Sequence, residues 1–144
     1  MLRRMIACVA VMGALLTPAG GRADDLAAYV RHALEQMEYE WAGRSYERQY
    51  FLEQSNLAQG QTWTRAFTSE AQSVTFVAGC DQDCTGLSMT VFDVANGRLV
   101  DQRRGYGKSM QMTVWPGTGR RLIAVLTMEG CSTEICYFAF AAVH

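Results

Sequence analysis

The sequence predicts an all-β sandwich preceded by one amphipathic helix, and three observations carry that reading. About eight short segments of alternating apolar and polar residues follow one another at regular spacing from Tyr46 to Val143. Turn-forming residues separate them, Asn96-Gly97 most clearly, because both tolerate the positive φ of a tight hairpin. Ahead of them runs a stretch of helical period that ends at Gly43, after which the period becomes two. A chain of 144 residues, 49% apolar, has room for one domain and one modest core.

Residues 1–23 read as an export signal. Met1-Leu-Arg-Arg-Met5 is a basic start, Ile6 to Leu16 an apolar run, and Pro18 and Gly20 break it. Gly21-Arg22-Ala23 then offers small residues for cleavage. The run is too short for a permanent span, and no second long apolar run exists. Arg3-Arg4 lacks a good twin-arginine context, and Cys8 is badly placed for a lipoprotein cysteine. The expected destination is periplasmic or secreted, without a membrane span.

The helix is expected over residues 24–43. Asp24 and Asp25 suit the positive end of its dipole. Leu26, Tyr29, Val30, Ala33, Leu34, Met37 and Trp41 share one face, and Arg31, Glu35, Glu38 and Glu40 take the other. The apolar stripe is read as the face that packs on the sheet, with a partner-binding helix as the alternative.

The sandwich occupies residues 44–144. Tyr46, Arg48, Tyr50 and Leu52 alternate with Glu47, Gln49, Phe51 and Glu53 in a first strand, and Asn56 to Gly60 reads as loop. Trp63 to Phe67 and Val74 to Ala78 give two more strands, and Leu87 to Val91 begins a fourth. Arg98 to Asp101, Met110 to Val114, Leu122 to Met128 and Tyr137 to Val143 complete the set, with Pro116 to Gly119 as a turn. Trp63 and Trp115 are expected in the core, although exposure would make them sugar-stacking platforms.

Removing residues 1–23 leaves four cysteines, Cys80, Cys84, Cys131 and Cys136, an even number in an oxidising compartment. They allow three pairings. Local pairing closes two small loops, each stabilising by roughly 2 kcal/mol against about 4 for a long-range bridge. It is favoured because each pair flanks a polar turn where a strand ends. Four thiolates binding a metal are the rival, disfavoured by export and by the lack of a nearby histidine. Neither pair is Cys-x-x-Cys, so a thioredoxin-like role is not indicated.

Val77-Ala-Gly-Cys80-Asp-Gln-Asp-Cys84, Leu87-Ser-Met-Thr-Val-Phe-Asp93 with Asn96-Gly97-Arg-Leu-Val100, and Cys131-Ser-Thr-Glu-Ile-Cys136-Tyr137 together resemble the bacterial pre-peptidase C-terminal domain family, in its small exported relatives with paired cysteines. The likeness covers roughly Tyr46 to Val143. It implies an antiparallel jelly-roll-like sandwich acting as a non-catalytic accessory domain. Relatives often carry acidic residues where this chain has Gly86 and Ser88, so no calcium site is carried over.

Little in the chain points to catalysis. His32 lies on the helix among charges, and His144 is terminal. Gly105-Tyr-Gly107-Lys108-Ser109 ends like a phosphate loop, but Gln102 stands where the first glycine is required. Asp81 and Asp83 are too few for a strong cation site, and a solvated turn is the favoured reading. Glu47, Glu53, Asp93 and Asp101 offer no spacing that selects a glycosidase pair. No cofactor or metal is expected.

Residues 24–94 carry eleven acidic and four basic side chains, and residues 95–144 six basic and three acidic. Net charge over 24–144 is therefore 10 − 14 = −4, which does not suit nucleic acid. Arg103, Arg104 and Lys108 are placed in one loop, roughly 20 Å from Arg120 and Arg121 if a strand at about 3.3 Å per residue separates them. The reading is a non-catalytic binding or accessory protein of the bacterial envelope. Its surface is Asp81, Asp83, Arg103, Arg104, Lys108 and Glu134, facing another envelope or secreted protein or an envelope polymer. The alternatives are a hydrolase inhibitor acting through the clipped Cys131–Cys136 loop, and a hydrolase without a recognisable motif.

Overall fold

The computed structural model describes residues 22–41 and 45–144. The expected export signal up to residue 21 and the helix-ending Gly43 lie outside them, as do the side chains of Leu26, Val30 and Glu40. Helix α1 (Arg22–Trp41) is followed by β1 (Gln49–Leu57), β2 (Thr62–Thr68), β3 (Val74–Cys80) and β4 (Cys84–Asp93). Then come β5 (Arg98–Gly105), β6 (Ser109–Val114), β7 (Arg121–Cys131) and β8 (Cys136–Val143). Two antiparallel four-stranded sheets, ordered β1-β8-β3-β6 and β2-β7-β4-β5, face each other in jelly-roll order.

The alternation rule explains which strands are amphipathic and which are apolar throughout. On β7, Leu122, Ala124, Leu126 and Met128 are buried while the residues between them are not. On β3 and β8 nearly every residue is buried, because the sandwich covers one face and α1 the other. Phe76, Phe138 and Phe140 point into the core, and burying each contributes about 2 kcal/mol. Val77, Gly79, Ala139, Ala141 and Val143 alternate with the core residues and lie beneath the helix.

Small residues on that outer face let α1 come close. A Cβ on Gly79 would run into the carbonyl of Ala33, the amide of Met37 and, at 2.9 Å, the carbonyl carbon of Gln36. Ala33 itself is fully buried, and Tyr29 stacks on Tyr137 with centroids 5.9 Å apart. The described part of the helical stripe, Tyr29 and Ala33 foremost, therefore packs on the sheet, as its spacing predicts.

The two lateral edges are closed differently. At β1 and β2, Phe51 and Trp63 meet Phe140 edge-on, with centroids at 5.3 and 5.5 Å. At the other edge Arg103 Nη1 donates to the carbonyl of Gln111 at 2.5 Å, joining β5 to β6. Side chains along β5 are exposed, and its arginines and Asp101 discourage pairing with another chain.

Four sequence expectations are corrected. Strand β1 begins at Gln49 and runs through Asn56 to Leu57, and its register shift between Gln49 and Phe51 turns Phe51 inward and leaves Leu52 exposed. Strand β5 extends to Gly105, so Arg103 and Arg104 stand on a strand and not in a loop. Trp115 is 73% exposed, just beyond the last buried residue of β6, whereas Trp63 packs half-buried on the core. Asp81 is no solvated turn residue; it is buried.

Arg120 and Arg121 sit at the end opposite Arg103, with β6 between. Arg120 donates to the Asp93 carboxylate, which also accepts the Ala95 amide at 2.9 Å. These bonds, the arginine's first, hold the Asp93 carboxyl below its ordinary value of 3.8. The stability this gives is present above 3.8 and is lost as pH falls through the lowered value. Arg120→Ala is expected to flatten that acid limb. Urea midpoints at pH 3 and pH 6 check it, and an unchanged difference between them would refute it.

Candidate functional site at the cystine-bearing pole

Antiparallel pairing sends the ends of β1, β3, β5 and β7 to the same pole, so four of the six inter-sheet crossovers (58–61, 81–83, 106–108 and 132–135) meet there. Both disulfides are local, Cys80–Cys84 and Cys131–Cys136, with Cα atoms 5.9 and 5.8 Å apart. Strand register also sets Cys84 opposite Cys131 on β4 and β7, which brings the two cystine loops side by side.

Hydrogen bonds join them. The Ser132 amide and hydroxyl both donate to the Asp83 carbonyl at 2.9 Å. The Cys80 amide donates to the Lys108 carbonyl at 2.7 Å, tying the third loop to the second. Asp81 is the organiser beneath. Only 1% exposed, its carboxylate accepts the amides of Tyr137 at 2.7 Å and Asp83 at 3.1 Å, and its own amide donates to the Tyr137 carbonyl. Burial pushes the Asp81 carboxyl above the ordinary 3.8, and the two donated hydrogen bonds oppose that rise.

The candidate residues are thus sorted by depth. Asp81 lies under the surface it was assigned to and works on the backbone. Asp83 and Lys108 are half-buried and contribute carbonyls, while Glu134 is exposed on the clipped loop. Arg103 and Arg104 approach the pole along β5, Arg104 Nε standing 3.8 Å from Glu129. Tyr106, which sequence reasoning passed over, is fully exposed at the tip of the third loop, and Ile135 is 42% exposed on the fourth. The only hint of Tyr106 in the sequence is its place between two glycines.

The arrangement is suited to contact more than to proton transfer. Glu53 on β1 and Asp101 on β5 lie at opposite lateral edges, and Asp93 is bound to Arg120. Imidazole Nδ1 of His32 is 3.7 Å from Glu35 on the helix. Among the described residues, no group of three or more His, Cys, Asp or Glu side chains is placed to hold a metal ion, and no helix is long and apolar enough to cross a membrane.

No protein-family model matches this chain, and no curated protein matches it. Among solved structures, the pre-peptidase C-terminal domain of a collagenase from Bacillus anthracis is similar at a TM-score of 0.50 and 10% identity, covering 69% of this chain and 98% of that one. A periplasmic inhibitor of g-type lysozyme from Aeromonas hydrophila gives 0.44 at 17% identity, covering 66% and 85%. A carbohydrate-binding module of a lichenase from Cellvibrio mixtus gives 0.43 at 10% identity, covering 69% and 91%. The resemblance to pre-peptidase domains holds at the level of fold, and it assigns no residue a role.

Proposed function

We propose that this protein is an exported, non-catalytic binding module that engages another secreted or envelope protein through its cystine-bearing pole. The observation that carries this reading is Tyr106. A wholly exposed aromatic ring stands on a loop whose backbone is tied to a disulfide-clipped neighbour. Rigid aromatic anchors lose little entropy on binding and dominate interface energetics. Ile135 and Thr133 extend the contact, and Arg103, Arg104, Lys108 and Glu134 set its charge pattern.

Tyr106→Ala is expected to weaken capture of the partner about thirtyfold, corresponding to about 2 kcal/mol for an interface anchor. Cross-linked pull-down of tagged protein from native envelope extract, quantified by mass spectrometry, reads this out. Thermal unfolding should not change, since the ring packs on nothing. Undiminished capture by the variant would move the interface elsewhere.

A second reading makes the partner a hydrolase. It is favoured by the Ser132–Ile135 loop, which a disulfide and the Asp83 carbonyl hold in a shape ready for insertion into a cleft. Its mark would be loss of the captured enzyme's activity on adding the protein.

A further inference from the structure

Helix α1 lies over β3, β8 and β6, and between its C-terminal half and β1 a cleft of about 180 Å³ remains open. That is comparable to the roughly 150 Å³ apolar cavity that holds a benzene ring. Its floor is aliphatic, made by Val77, Ala141 and Val143. Leu52 forms part of the β1 wall and is left substantially exposed by the inward turn of Phe51.

Two aromatic rings and one carboxylate border it. Trp41 and Tyr46 meet edge to face, with centroids 5.5 Å apart. Glu38, one helical turn before Trp41, lies on the same border, and among the described lining residues it alone is charged. Gln49 adds a neutral amide. Glu35, one turn further back, is exposed as well, so this stretch of the helix is acidic.

We propose that this cleft binds a small organic cation, an aliphatic or quaternary ammonium compound. Its apolar part rests on the aliphatic floor, and its charged head lies against the Trp41 and Tyr46 rings beside the Glu38 carboxylate. Ring quadrupoles and a carboxylate both attract a cation, most strongly where it is partly desolvated. An anion would face Glu38 at close range. A neutral apolar guest would fill the floor but leave the rings and the carboxylate unused. The site is on the outer face of the helix-covered sheet, and none of its lining residues belongs to the loops of the cystine-bearing pole.

The test uses the purified protein with choline and with its uncharged isostere, 3,3-dimethylbutan-1-ol, followed by the indole N–H signal of Trp41 in a nitrogen-correlated NMR spectrum. Trp41→Phe assigns that signal. Choline is expected to shift it saturably, and the neutral isostere to bind about tenfold more weakly. Glu38→Gln and Tyr46→Ala, both at exposed positions, should each weaken choline by a similar factor while leaving the melting temperature in place. Equal affinity for the two probes, or a shift unaffected by both variants, would overturn the assignment. So would the absence of a saturable shift with choline.

Discussion

Gly79→Val is expected to lower the unfolding free energy by about 3 kcal/mol, with a fall in Tm of about 10 °C. Position 79 has no room for a Cβ. What it would meet is the main chain of α1 at Ala33, Gln36 and Met37, which cannot rotate away as a side chain would. Either the helix lifts as a body or β3 bends out of register with β6 and β8. Lifting is the cheaper response, and it uncovers Val77, Ala139 and Ala141 on the outer face of the sheet. The variant should therefore show faster proteolysis within α1 as well as a lower melting temperature. Gly107→Ala supplies the control, since a Cβ there meets nothing within 4 Å and its φ is not positive. Equal stability of the two variants would refute this account of the helix contact.

Asp81→Ala is expected to cost about 3 kcal/mol, because it leaves the part-buried amides of Tyr137 and Asp83 without their acceptor, at about 1–2 kcal/mol each, beneath a buried side chain. The loss should be felt in both cystine loops, since Asp83 in turn holds Ser132. Hydrogen exchange at Tyr137 and Ser132 reads the loosening directly, and protection equal to the wild type would sink the idea. Asp81→Asn keeps one acceptor and should cost less. The pH dependence has a definite sign. Because the native carboxyl is raised above 3.8, its linkage contribution is complete below that value and declines as pH rises through the raised one. The deficit of Asp81→Asn should accordingly be largest near pH 3 and shrink toward neutrality, the reverse of the acid limb set by Asp93.

The contrast between these residues shows what was legible in the chain. Alternation on β7 and the helical stripe of α1 are patterns with a period, and a period identifies a face without reference to any partner. The cysteine pairs flank turns, a spacing that favours the local pairing found in the structure. Asp81 looks in sequence like any other acid in a polar turn. Its role depends on Tyr137, 56 residues away, meeting it across the β3–β8 pairing. Phe51 faces inward because of one register shift, which no count of alternating residues would reveal. The cleft beside α1 likewise depends on where the helix stops relative to β1. Tyr106 shows the opposite failure, a residue whose significance lies in touching nothing.

The strand order also constrains the timing of folding. Strands β7 and β8, last in the chain, occupy interior positions of their sheets, β7 between β2 and β4 and β8 between β1 and β3. Before they emerge, β1 has no neighbour in its sheet and β2 none in the other. A growing chain therefore holds only the β3–β6 and β4–β5 ladders until residues 121–143 are available. Contacts this distant in sequence make for slow closure. Such a chain is easily kept extended until its last two strands are available, and the two sheets close late.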